Sequence, residues 1–272
     1  MTAMHDLELY RRGNETLLGS WQEYARGATG ASLERSPGVA SALFPTGPER
    51  RVYNNALLDR GLGSAERADA LVRMEAAYAD AGIDRFAAWV HESDNAMRLE
   101  LERRAYVFDT CTRAMGMVLD DIPLPRPDIE VQQPEWADYL RTFDLPAGLL
   151  SGHPHPCLRV LVARLDGEDA ATAMAFDFGG DCGIYNVGTL EHARRRGLGT
   201  ALTALHLHDA RARGCRTASV QSTHMAEGVY AAAGFRDLGR FLEYVPGRTA
   251  EPPDRLPIKT PWPAPTARGE RR

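Results

Sequence analysis

From Arg159 onward the apolar positions change period in a readable way. RVLVARL (Arg159–Leu165) has the length and branched residues of a strand. Asp166-Gly167 is a hairpin-turn pair, so DAATAMAFDF (Asp169–Phe178) returns as its antiparallel partner. Gly179-Gly180-Asp181 predicts a second reversal and GIYNVGTL (Gly183–Leu190) a third strand. The period then lengthens: Leu198, Ala201, Leu202 and Leu205 share one helical face, and Gly214 closes that helix. TASVQS (Thr217–Ser222) predicts a strand, MAEGVYAAAG (Met225–Gly234) a helix stopped by glycine, and FLEYV (Phe241–Val245) a last strand. With the helical EWADYLRTF (Glu135–Phe143) ahead of it, the order β-β-β-α-β-α-β implies the α/β class, a mixed sheet with flanking helices.

The first half repeats part of this order. RVYNNALL (Arg51–Leu58) matches GIYNVGTL, with Tyr53 over Tyr185 and Asn54 over Asn186, and the same displacement sets Gly82 over Gly214. FAAWV (Phe86–Val90), AMRLELERRAY and VFDTCTRAMGMVL then take the places of the next strand, helix and strand. Two copies of one topology is the economical reading, against a chance likeness of short segments. The proline-rich DIPLPRPDIEVQQP (Asp121–Pro134) lacks periodicity and reads as a linker. The expected division is therefore a first domain over 1–125, a second over 126–246, and a tail over 247–272 rich in proline and charge, with Trp262 able to dock on a surface.

A chain of 272 residues accommodates two cores. Neither an apolar leader nor the ~18 consecutive apolar residues of a membrane span is present, so a cytoplasmic protein without a membrane partner is expected. Cys111, Cys157, Cys182 and Cys215 form no C-x-x-C pair, and His206 and His208, two apart on a helix, point to different faces. His153 and His155 alternate with prolines in a loop, and no metal is expected. Lys259 is the sole lysine, and the net charge of −5 argues against a nucleic-acid partner.

The stretch ARRRGLGTAL (Ala193–Leu202) joins a strand to a helix. N–H groups in a helix's first turn lack intrahelical partners and sit at the positive end of the peptide dipoles. Gly197 and Gly199 allow an anion to approach the main chain, and Arg194, Arg195 and Arg196 add charge. No Gly-Lys-Ser/Thr follows, and the third glycine and downstream acid of a dinucleotide site are absent.

Together these residues resemble the GCN5-related N-acetyltransferase (GNAT) superfamily. Its Arg/Gln-x-x-Gly-x-Gly/Ala pattern is met by Arg194, Gly197 and Gly199; its later Tyr-x-x-x-Gly-Phe is met by Tyr230, Gly234 and Phe235. The likeness is close over roughly 134–246 and reaches the first half only through the repeat, so two GNAT-like domains in tandem are expected, the first a degenerate copy. The resemblance implies acetyl-CoA as cosubstrate, its pyrophosphate at Arg194, Arg195, Arg196, Gly197, Leu198, Gly199 and Thr200. It also implies a pantetheine arm along the main chain of Val187, Gly188 and Thr189, in a gap between strands, with the acyl group near Asn186. Tyr230 is implied as the proton donor to the departing sulfur, or else as packing beneath the cofactor.

The implied reaction moves acetyl to a primary amine of a small molecule or peptide by direct attack in a ternary complex. An alternative is a non-catalytic acyl-CoA-binding module; another acyl donor or an alcohol acceptor is also open. A lysine-like amine is almost wholly protonated at neutral pH, so a base would help. Relatives often place a glutamate on the strand matching Thr217–Ser222, where this chain has Gln221; Glu191 and His224 are the other candidates, each as readily a surface residue. DRGLG (Asp59–Gly63) echoes the arginine-glycine turn with a shorter lead from its strand. Dimerisation is common among relatives, which leaves a homodimer open.

Overall fold

The structure is a computed structural model, and it describes residues 5–46, 53–143 and 157–247. In chain order the elements are α1 (Asp6–Arg26), β1 (Ser32–Ser36), β2 (Val39–Leu43), β3 (Asn55–Leu58), α2 (Ser64–Asp80), β4 (Ala87–His91), α3 (Asn95–Arg103) and β5 (Tyr106–Val118). The second half continues with β6 (Val131–Gln132), α4 (Trp136–Thr142), β7 (Leu158–Leu165), β8 (Glu168–Phe178), β9 (Asp181–Thr189), α5 (Leu198–Ala212), β10 (Thr217–Ser222), α6 (Glu227–Ala232) and β11 (Arg236–Pro246).

The eleven strands of the described residues form one mixed sheet in the order β1-β2-β3-β4-β11-β5-β10-β9-β8-β7-β6. Each half lends its terminal strand to the other. β11, from the end of the chain, lies antiparallel between β4 and β5 of the first half, while β5 pairs along its other edge with β10 of the second. The repeat is therefore built into a single sheet, with the seam at β4-β11-β5-β10.

Side-chain alternation assigns the faces. Trp89, Ala114, Phe241, Val245, Val160 and Met174 form a core with α1 and α4 on one face. On the other face Ala88, Val90 and Tyr244 pack under α2 and α3, and Met117, Ile184, Ala218 and Val220 under α5 and α6. β3 and β4, at the middle of the first half, are buried along their full length, which is why they read as continuous apolar runs.

The predicted elements from Asn55 onward are present, with ends shifted by a few residues and β11 beginning five residues earlier than the pattern suggests. α1, β1 and β2 precede anything the pattern predicts. α1 carries two glycines, and both mark close approaches: a Cβ on Gly13 would lie 3.0 Å from the Ser219 Cβ, and one on Gly19 would lie 2.9 Å from Phe178. The segment read as a linker is docked on the second half. Pro123 packs where a Cβ of Gly234 would stand, the Leu124 carbonyl bonds His208 Nε2 at 2.8 Å, Arg126 pairs with Asp209, and β6 joins β7 at the sheet edge. Prolines conceal that role in a sequence, since they interrupt periodicity without preventing packing. Trp262, His153 and His155 lie outside the described residues.

Candidate active site

β9 and β10 are parallel neighbours only at their beginning. Thr217, Ala218 and Ser219 pair with Asp181, Cys182 and Gly183, and β9 then diverges from β10. A bulge drives the divergence: between the pairs Met174↔Tyr185 and Thr172↔Gly188 β9 carries one extra residue, and Asn186 adopts a left-handed φ of 50°. Beyond it, Gly188 and Thr189 stay bonded to β8, which leaves their opposite edge facing the gap.

Past Thr189 the chain turns through a 3₁₀ segment (Glu191–Ala193) into α5. Arg195 (φ 64°) and Gly197 (φ 77°) both take left-handed conformations, and the exposed Gly197 caps the helix. The N–H groups of Leu198, Gly199 and Thr200 fall in the first turn, where no intrahelical carbonyl reaches them. Arg195 and Arg196 are exposed beside the turn; Arg194 is half-buried and its Nε donates to the Thr189 carbonyl at 3.3 Å, fastening the turn to β9. Gly199 faces β9, within 3.6 Å of Val187 and 3.8 Å of Thr189 measured from an added Cβ. The structure thus brings the predicted residues 187–189 and 194–200 into one continuous edge and turn.

A cavity of about 420 Å³ opens at the gap and passes between the two faces of the sheet. Ile184, Val187, Val220, Ala226 and Tyr230 line it on the α5/α6 side; Leu17, Trp21, Tyr24, Trp89, Thr112 and Glu243 line it on the α1 side. Tyr230 is buried, stacked edge-on against Phe235 (centroids 5.7 Å apart), and burial raises its phenol pKa above the ordinary value. Glu227, one turn earlier on α6, holds the helix to the seam through Arg113 of β5 at 2.9 Å and Arg240 of β11 at 3.0 Å. The Tyr-x-x-x-Gly-Phe motif has a structural basis as well: Gly234 (φ 99°) lets the chain leave α6 where a side chain would strike Pro123, and Phe235 braces Tyr230.

The rival groups sit elsewhere. Glu191 and His224 are exposed, and His224 lies 3.6 Å from Glu227 on the surface. His206 is buried against the Ala173 carbonyl at 3.1 Å, and burial lowers its pKa to about 4. Burial raises the thiols of Cys182 and Cys215, the latter to about 11, so neither is an activated nucleophile. Gln221 lines the cavity on β10. Two contributors escaped the sequence reading, α1 and Glu243. A readable signal existed for the second: in FLEYV the glutamate shares its face with Phe241 and Val245, a charge on a buried stripe.

The paired tyrosine-asparagine residues do not occupy matching places. Gly82 and Gly214 precede Ala87 of β4 and Ser219 of β10 by the same interval, yet Ala87 pairs with Asn55 whereas Ser219 pairs with Gly183. Tyr53 therefore corresponds to Asp181 rather than Tyr185. Its neighbour Asn54 is buried and bonds both the N–H and the carbonyl of Phe44, a packing duty. β3 stops at Leu58, so the first half has no strand segment running on past its pairing with β4.

A bulged strand parting from its parallel neighbour, and ending in a glycine turn that opens a helix, is the arrangement of the GNAT fold. Residues 119–235 match a family model described as the acetyltransferase (GNAT) family. Solved structures share the fold over most of the chain. A GCN5-related N-acetyltransferase from Kribbella flavida aligns with a TM-score of 0.66 at 16% identity, covering 87% of this chain and 94% of that one. One from Sphaerobacter thermophilus gives 0.56 at 17% identity over 85% and 84%. A tandem GNAT protein from the clavulanic acid biosynthesis pathway gives 0.56 at 15% identity over 86% and 94%. Among curated proteins none matches the chain in sequence.

Proposed function

We propose that the protein transfers acetyl from acetyl-CoA to a primary amine of a small molecule or peptide, by direct attack in a ternary complex at the β9/β10 gap. The observation that carries the reading is the uninterrupted path from the α5 turn, along the open edge of β9, to Tyr230 at the cavity. Leu198, Gly199 and Thr200 would offer first-turn N–H groups to the pyrophosphate, with Arg195 and Arg196 adding charge. The main chain of Val187, Gly188 and Thr189 would bond the pantetheine amides as a neighbouring strand would. Tyr230 holds its proton because burial opposes the phenolate. It would give that proton to the CoA sulfur as the C–S bond breaks, and recover one from the amine nitrogen as the amide forms.

Calorimetry with CoA, followed by thiol release with a panel of amines, tests the reading. CoA is expected to bind wild type and Tyr230→Phe equally, while turnover in the variant falls about 10²-fold. Binding without turnover on any amine would favour a sensor, and no CoA binding would end the assignment.

A further inference from the structure

Glu243 is the one charged side chain among the described residues lining the cavity. It is 4% exposed and comes from the exchanged strand β11, opposite Trp89 in register. Around it on the α1 side stand Trp21, Tyr24 and Trp89. Trp21 and Trp89 meet edge to face at 5.7 Å, and the Trp89 indole N–H is committed to Asn55 Oδ1 at 3.2 Å, which fixes that wall. The Thr112 hydroxyl, also at the cavity, is buried and has no hydrogen-bond partner among the described residues. A polar atom left in that condition points to an occupant.

Resting on the acetyltransferase reading, we infer that Glu243 is the acceptor-binding carboxylate and proton acceptor, and that the acceptor is a compact monoamine on an apolar body. A carboxylate at the cavity wall attracts an ammonium, and aromatic faces favour both a cation and a flat hydrocarbon. A polyamine would bring further charges into a wall that offers no second acid among the described residues. Among the described residues, the other titratable groups lining this space are phenols: Tyr24 from α1, Tyr185 from β9 and Tyr230 from α6, all with raised pKa through burial; β4, β5 and β10 contribute the neutral Trp89, Thr112 and Gln221.

The proton balance closes. Glu243 takes a proton from the ammonium, leaving a free amine whose lone pair attacks the thioester carbonyl. The C–S bond breaks, the sulfur receives the Tyr230 proton, and the phenolate is restored from the nitrogen. Glu243 then releases its proton to solvent. A glutamate on β11 thereby does the work that β10, with Gln221, lacks a carboxylate to do.

The test uses 2-phenylethylamine, spermidine and the neutral 2-phenylethanol. Wild type is expected to acetylate 2-phenylethylamine with a kcat/KM at least about tenfold above spermidine. Glu243→Gln should bind CoA and melt as wild type does, yet lose about 10²–10³-fold in kcat/KM at pH 7, a deficit that shrinks as the pH approaches the amine's own pKa. Equal turnover by Glu243→Gln, or a pH-independent deficit, overturns the inference while leaving the acetyltransferase reading intact. Failure of wild type to bind CoA overturns both. Should Glu243→Gln not fold, the CoA complex of wild type decides: 2-phenylethylamine is expected to bind at least about tenfold more tightly than 2-phenylethanol, and equal binding, or a preference for spermidine, refutes the assignment.

Discussion

The main-chain N–H of Gly61 donates to the Asp94 carboxylate at 3.0 Å. The first half thus fills its own anion turn: Arg60 lies over the Tyr10 ring at 5.0 Å and bonds Ser93, and the Gly63 N–H is taken by Glu66 at 2.7 Å. With β3 ending at Leu58 there is also no open strand edge leading to that turn. Calorimetry is therefore expected to give one CoA site per chain. Asp94→Ala should leave that stoichiometry unchanged and lower stability by about 1 kcal/mol, since Asp94 also caps α3 through the Met97 N–H. A second site in wild type would contradict the occupied turn, and one in Asp94→Ala would contradict the lack of a strand edge leading to it.

Gly197 and Gly199 make separable contributions. At Gly197 a side chain would have to adopt φ 77°, costing roughly 1 kcal/mol, although open space surrounds it. At Gly199 an added Cβ meets Val187 and Thr189 only at ordinary contact distances, and alanine is the better helix former. Gly199→Ala is expected to melt at or above the wild-type temperature while its affinity for CoA drops about tenfold or more. Unchanged affinity would mean that the pyrophosphate does not approach this turn.

The sequence revealed most where local chemistry dictates structure. The Asp166-Gly167 hairpin, the period change at Leu198 and the glycine stops at Gly214 and Gly234 each mark an element that is present, because a turn or cap depends on a few adjacent residues. What stayed hidden depends on partners distant in the chain. Gly13 and Gly19 look like breaks in α1 and are contact points against β10 and β8. The exchange of β5 and β11 leaves no local mark, since either strand's apolar face suits either neighbour. Glu243 gains its setting only because that exchange brings Trp89 beside it. The turn residues of the candidate site were thus legible, whereas the acceptor wall, assembled from α1, β4, β5 and β11, was not.

His206 ties stability to mild acid. In the unfolded chain its imidazole takes a proton as the pH falls through about 6.5; buried against Ala173, it does so only near 4. Between those values the unfolded state binds more protons, so the contribution is complete above about 6.5 and declines by about 1.4 kcal/mol per pH unit on acidification. His91, lowered chiefly by burial, acts in the same direction. Urea unfolding at pH 7.5 and pH 5 is expected to show wild type losing about 2 kcal/mol more than His206→Gln, which keeps a donor for the Ala173 carbonyl. Equal losses would indicate that His206 is already protonated in the fold.

The shared sheet makes the two halves interdependent. In residues 126–247 alone, β10 would lose β5 along Thr217–Ser222, and β11 would lose both neighbours, from Arg236↔Gly116 to Pro246↔Tyr106 and from Phe241↔His91 to Tyr244↔Ala88. Three exposed strand edges and the uncovered Phe241 and Val245 favour aggregation over a free-standing domain. Residues 1–125 would be left with an unpaired edge on β4 and both edges of β5 open. Each half expressed singly is expected to lack a cooperative thermal transition, while the two produced together as separate chains should reassemble and recover CoA binding, because every strand then regains its neighbours. A cooperative melt and full CoA affinity from residues 126–247 alone would show that β11 can close back on β10 at little cost, and would remove the reason for Glu243 and Trp89 to share one cavity.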